Sequence, residues 1–183
     1  MALSKSKLKN EIQTMMESVL EGNEIKADDW TDALFGYIVE TGVFDPIKKP
    51  LGVAGVSLDI KGILSPVKDL IGSTLNPIWG KANLFKEQLP ILIEGMATII
   101  HLALVPLFLA LDLYFIPVPM APPIFPFKPA SVTKPTGLDL EPAFKAGESG
   151  APIPILAEIY ATQIHDYFIS GKWKITGIEA QWF

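Results

Sequence analysis

Residues 89–127 read LPILIEGMATIIHLALVPLFLALDLYFIPVPMAPPIFPF. Only Glu94 and Asp112 carry charge in this stretch, although 19% of the whole chain is charged. An early proline suits the first turn of a helix, and Pro106 can kink a helix without ending it. The pattern therefore predicts one central apolar helix over about 90–113.

This helix has two possible environments, a protein interior or interface and a membrane. The 17 uncharged residues from Gly95 to Leu111 would rise about 25 Å as a helix, which is short for a membrane span. They include His101 and Pro106, and no lysine lies close to either end. The sequence favours a buried or subunit-interface helix over a membrane span, and it leaves a membrane-inserting segment at 90–115 as the alternative.

A proline-rich segment follows the apolar helix. Ten of the sixteen prolines lie between Ile116 and Pro154, which excludes helix and sheet interiors and predicts an extended arm over 116–154. We expect 130–150 to be polar and flexible. The apolar side chains between the prolines are costly to leave in water, so the arm is predicted to dock on protein. The predicted partner-interface residues, two of them from the C-terminal strand, are Ile116, Val118, Met120, Ile124, Phe125, Phe127, Trp173 and Trp182.

An antiparallel helix pair is predicted at the N-terminal end of the chain. Apolar residues at helical spacing predict a first helix over about 4–21, ended by Gly22. A second helix is predicted from Asp28 or Asp29 to Thr41, with an aspartate near its N-cap. Partial alternation over 53–60 favours one short strand.

The C-terminal region is predicted to return to the core as a helix and a strand. Apolar residues from Ile155 to Phe168 share one helical face, and Ser170-Gly171 ends the helix. Apolar and polar residues then alternate over 172–182, with a change of phase at Gly177. That pattern predicts a closing strand with a bulge or a bend at the glycine.

Composition excludes several kinds of chemistry. All 15 basic residues are lysine, and the net charge is −5, so nucleic-acid binding is disfavoured. The chain has no cysteine, which excludes disulfides, thiolate zinc sites and cysteine nucleophiles. Neither a nucleophile elbow nor a phosphate-binding or dinucleotide-binding glycine motif is present.

The two histidines are the remaining candidates for a reactive site. His101 lies seven residues after Glu94 on one helical face, where a buried polar pair is favoured over catalysis. His165 precedes Asp166 and follows Glu158 by seven, but zinc needs three or four ligands. A surface or interface histidine is the favoured interpretation, so we predict no catalytic, cofactor or metal site and no enzyme activity.

The two ends of the chain carry a resemblance. The opening MALSKSKLKNEI, residues 1–12, runs into an amphipathic helix, and IHDYFISGKWKITG, residues 164–177, is a helix ended by Ser-Gly and followed by a strand. Both are similar to the ends of small virion structural proteins of contractile-tailed bacteriophages. The resemblance implies a tail, baseplate, neck or head component with no catalytic residues, assembled in the host cytoplasm. The polar first helix predicts no secretory signal.

These observations combine into one expected architecture and function. The fold class is α+β and mainly α, with a helical region at 1–115, a proline-rich arm at 116–154 and a C-terminal helix and strand at 155–183. We expect a non-enzymatic component of a multi-subunit assembly. Its expected partners are other protein subunits, whether foreign chains or copies of itself, and not nucleic acid; membrane association is the alternative.

Overall fold

The computed structural model describes residues 3–41, 66, 70, 73, 86–114, 131–175 and 178–181. Over these ranges the chain is mainly helical, and the central apolar helix is confirmed. The helices are α1 (Lys5–Leu20), α2 (Ala27–Thr41), α3 (Gln88–Tyr114), α4 (Glu141–Glu148) and α5 (Ile153–Ile169). The strands β1 (Ser131–Thr133), β2 (Lys172–Ile175) and β3 (Ile178–Gln181) form one antiparallel sheet in the order β1-β2-β3.

The predicted first helix is confirmed, and both of its ends have a local cause. At the start, the Ser4 hydroxyl accepts a hydrogen bond from the backbone N–H of Lys7, which satisfies a donor that lacks a helical partner. At the end, Gly22 adopts a φ of +89°, a conformation that glycine takes at little cost. The buried face consists of Leu8, Ile12 and Met15.

Helix α2 begins at Ala27, one residue before the predicted range. The Asp29 carboxylate accepts a 2.7 Å hydrogen bond from the backbone N–H of Lys26, so this aspartate stabilises the helix start from inside the first turn. The strand predicted over 53–60 lies outside the described residues.

The predicted C-terminal helix is confirmed as α5, and it packs along α1. Ala157 and Ala161 are fully buried on α5, and small side chains at this spacing allow a close approach between helices. Aromatic rings fill the space towards α2. The ring centroids of Tyr37 and Phe168 lie 6.4 Å apart, and those of Trp30 and Tyr160 lie 5.7 Å apart. One core therefore joins the N-terminal helices, α3 and α5.

The expectation of an extended, flexible chain up to residue 154 is wrong after residue 130. Helix α4 occupies Glu141–Glu148, and its start is fixed by the Asp139 side chain, which accepts a hydrogen bond from the backbone N–H of Glu141. Pro142 lies in the first turn, where a missing N–H costs nothing. Ala143 is buried in the core. The proline that argued against helix in this segment is instead a helix-starting residue.

The predicted single closing strand is a hairpin. Ile175 of β2 faces Ile178 of β3 in an antiparallel pair, so only Thr176 and Gly177 connect the two strands. The change of phase at Gly177 thus falls between two antiparallel strands, where a single strand was predicted. On the other side of β2, Val132 of β1 completes the sheet.

Candidate interaction surface

Most of the side chains predicted to bind partners lie outside the part of the chain that the structure describes. The six predicted anchors between residues 116 and 127 lie outside the described residues, and so does Trp182. Trp173 lies in the central strand β2, where its backbone faces Val132 and Ala180. The roles of all eight side chains stay predictions.

Both ends of the segment 115–130 are held by the fold. Helix α3 leads into it at Tyr114, and Ser131 leaves it as the first residue of β1, which packs against α3. Just beyond β1, the Lys134 Nζ donates a 3.2 Å hydrogen bond to the Thr98 hydroxyl. Because an α-helix rises 1.5 Å per residue, Thr98 lies about 24 Å back from Tyr114 along α3. The described residues on the two sides of this segment therefore lie at the end of α3 and beside its middle.

Helix α3 has two faces, although its sequence is apolar nearly all round. The inner face is buried in the core over about four turns. It consists of Leu89, Leu92, Ile93, Met96, Ala97, Ile100 and Leu104.

The opposite face of α3 carries a line of uncharged residues that we call the outer seam, namely Ile91, Gly95, Thr98 and Leu102. Steps of four, three and four residues place them along one side of the helix. Ile91 is 54% exposed and Leu102 is 63% exposed, so the two large apolar side chains of the seam face outward. Glu94 beside the seam is exposed as well.

The same helix is long and apolar enough to cross a membrane. Its segment Gln88–Pro106 has a mean hydropathy of 1.8. However, 44% of that segment is buried inside the protein, on the face that packs into the core. The described structure thus leaves only one side of the segment available to a partner or a lipid.

A small cleft lies on the other side of the core. It has a volume of about 250 Å³, and burial raises the pKa of the Tyr160 hydroxyl to about 12. The Lys86 Nζ lies 5.2 Å from the centroid of the Phe144 ring and 2.9 Å from the Glu148 carboxylate, so its charge is already paired. The lining residues are Met16, Ile25, Trp30, Lys86, Leu89, Phe144 and Tyr160.

His165 is partly buried and connects two helices of the core. Its Nδ1 lies 2.7 Å from the Tyr37 hydroxyl. Tyr37 is fully buried, and burial raises the pKa of this phenol well above its usual range, so the hydroxyl stays protonated in its hydrogen bond with Nδ1. Burial lowers the pKa of His165, with Lys5 acting in the same direction and Asp166 opposing it. A neutral histidine therefore links α5 to α2.

His101 and Glu94 do not form the expected buried pair. Glu94 is exposed, whereas His101 is partly buried. Burial, together with the charge of Lys134, lowers the pKa of this histidine. In the described part of the chain, no three His, Cys, Asp or Glu side chains come together as a metal site would require.

Comparison with known proteins assigns no family. The chain matches no protein-family model, no curated protein and no solved structure. Its function must therefore be argued from the placement of its own residues.

The Tyr37–His165 link predicts acid sensitivity of the fold. Because the pKa of His165 is lower in the folded chain than in the unfolded one, its contribution to stability is complete above the unfolded value near 6.5 and falls as the pH drops below it. We expect the melting temperature to fall below about pH 6.5 and to fall less in His165→Asn. Thermal unfolding of both chains between pH 8 and 5 measures this difference. Equal acid sensitivity in the two chains would contradict the prediction.

Proposed function

We propose that this protein is a non-enzymatic structural subunit of a multi-subunit assembly, most simply a bacteriophage virion. It would dock on neighbouring proteins through the outer seam and the proline-rich segment 116–130. The observation that carries the proposal is the outward exposure of Ile91 and Leu102 on a helix whose other face is fixed in the core. The fold thus presents apolar side chains on a rigid support.

The energetics favour protein contact at this surface. Completely burying a Leu or Ile side chain contributes about 1.5–3 kcal/mol relative to leaving it in water. Since α3 is already ordered by its buried face, a partner that covers the seam gains this energy without ordering the helix. The proline-rich segment would add apolar side chains on a chain with few backbone conformations to lose.

Polar groups that link the helices have structural roles, which suit a non-enzymatic protein. The Glu158 carboxylate on α5 lies 3.0 Å from the Lys5 Nζ and 3.2 Å from the Lys9 Nζ, both on α1. Hydrogen bonds from these two lysines lower the pKa of that carboxyl. Together with the Tyr37–His165 link, these contacts hold helices together and leave the groups occupied.

Membrane association is the second candidate, and the apolarity of Gln88–Pro106 supports it. In that case, the seam would face acyl chains. Flotation with vesicles of neutral and of anionic lipid, comparing wild type with Leu102→Asp, separates the two functions. If the wild type stays at the bottom of the gradient with either lipid, the result favours assembly. If the wild type floats and Leu102→Asp does not, the result favours the membrane.

The proposed docking role predicts the effect of removing the apolar side chains of the arm. Residues 117–129 would be replaced by a Gly-Ser segment of the same length, because a simple deletion leaves too few residues to span about 24 Å. We expect the melting temperature to change by less than about 2 °C, since the proposed role of the arm is to contact partners and not the core. Co-purification with the native particle or complex should fall at least tenfold.

The matched control is a Gly-Ser replacement of the exposed residues Asn23 and Glu24, which lie between α1 and α2. That variant should co-purify as the wild type does. Normal incorporation of the arm variant would refute the docking arm.

A further inference from the structure

The outer seam is complementary to itself. A surface that docks on an unrelated partner would not need this property. In an antiparallel pair of identical helices, the sequence numbers of any two residues that face each other add up to the same sum. If Ile91 faces Leu102 of a second copy, the sum is 193, and Gly95 then faces Thr98 of that copy. The two large apolar residues thus meet each other, and the two small residues meet at the centre.

The small residues at the centre set the distance between the helices. Gly95 has no side chain and Thr98 a short one, so the two helix backbones can approach closely there while Ile91 and Leu102 close the contact on either side. The exposures of 54% and 63% leave both large side chains free to be covered.

The charges beside the seam fit the same register. Glu94 and Lys134 are both exposed, and neither belongs to an ion pair in the described part of the chain. Lys134 is held at the seam by its hydrogen bond to Thr98. In the pairing above, Glu94 lies level with residue 99 of the second copy, beside the Thr98 that positions that copy's Lys134. This pairing brings Glu94 of each copy next to Lys134 of the other copy, in two symmetric contacts.

From this complementarity we propose that the partner of the outer seam is a second copy of this chain, and that two copies pair through antiparallel α3 helices with Ile91 facing Leu102. The inference rests on the proposed assembly function and names one of its contacts. A cyclic pair of this kind uses the same patch twice, as most homodimers do. A single helix pair covers less than the roughly 800 Å² per partner of a standard interface, so the dimer is in reversible equilibrium with monomer.

Sedimentation velocity over a concentration series tests the pairing with the full chain of 20.0 kDa. The wild type should shift from one chain mass towards two. Leu102→Asp should raise the dissociation constant at least tenfold, because it places a charge against Ile91 of the other copy. Ile155→Asp, at a position on α5 that is 54% exposed, is the matched control and should leave the dissociation constant unchanged.

Charge reversal tests the register itself. Glu94→Lys and Lys134→Glu should each weaken the dimer several-fold when alone, and an equimolar mixture of the two variants should restore it, since each contact in the mixed pair then joins opposite charges. Melting temperatures of all variants confirm that each is folded. A mixture no stronger than the separate variants would overturn the proposed register.

Two outcomes separate this inference from the proposed function. A wild type that stays monomeric at every concentration, yet is incorporated into the native particle, overturns the dimer and leaves the structural function intact. A monomer that floats with vesicles and loses flotation in Leu102→Asp overturns both.

Discussion

Truncating Phe168 to alanine is expected to lower the free energy of unfolding by about 3–5 kcal/mol. Phe168 is fully buried on α5, and its ring contacts those of Tyr37 and Tyr167, with centroids 6.4 and 5.5 Å away. The truncation leaves a cavity where α2 meets α5, and the rigid helices on both sides can close it only in part. Because Tyr37 also holds His165, loosening this ring cluster should weaken the acid-sensitive link as well.

Urea denaturation followed by circular dichroism measures this loss. The matched control is Ile155→Ala, which shortens an apolar side chain on the same helix that is 54% exposed. We expect it to cost less than about 0.5–1 kcal/mol, because little apolar surface leaves the core. A similar loss for both variants would show that α5 does not pack on the core through Phe168.

The helices with one apolar face and clear end signals could be predicted from sequence. For α1, the apolar spacing and Gly22 predicted the helix and its C-terminal end, and for α5 the Ser170-Gly171 pair predicted the C-terminal end. Such signals act through hydrogen bonds within a few residues, so no knowledge of the tertiary fold is needed. The general class, mainly helical with a central apolar helix, followed from the same reasoning.

The segment after residue 130 was mispredicted because each of its signals has two meanings. Proline is excluded from the interior of a helix but is favoured in its first turn. Only Asp139, whose side chain accepts a hydrogen bond from the backbone N–H of Glu141, distinguishes the two cases for Pro142. The short strand β1 has no pattern of its own, since three residues cannot show an alternation. It exists because β2 offers it a paired edge, which is a tertiary effect.

The outer seam could not be predicted from sequence, for a related reason. Ile91 and Leu92 are chemically alike neighbours, yet one faces outward and the other is fully buried. A helix that is apolar all round has no polar face to orient it, so its orientation depends on what packs against it. The charge of Glu94 could have marked the outward side of the helix. The prediction of a buried Glu94–His101 pair instead placed this residue inside.

Helix α3 therefore provides the sharpest comparison, because the same substitution can be placed on its two faces. Ile93 is fully buried, and Ile93→Asp would place a carboxylate in the core with no partner, at a cost above about 4 kcal/mol. Since a domain of this size has only about 5–15 kcal/mol of stability, we expect that chain to lose its cooperative unfolding transition. Leu102→Asp puts the same charge on the outer seam and should keep the wild-type transition within about 1 kcal/mol.

The comparison of Ile93→Asp with Leu102→Asp also distinguishes a core helix from a membrane span, and it requires no lipid. A span that is surrounded by lipid would be equally intolerant of aspartate on either side, and the detergent-free protein would then show no asymmetry between the variants. Thermal and urea unfolding of both chains in plain buffer measure this asymmetry. A folded, cooperative Ile93→Asp would refute the buried face of α3, and with it the rigid support on which the outer seam depends.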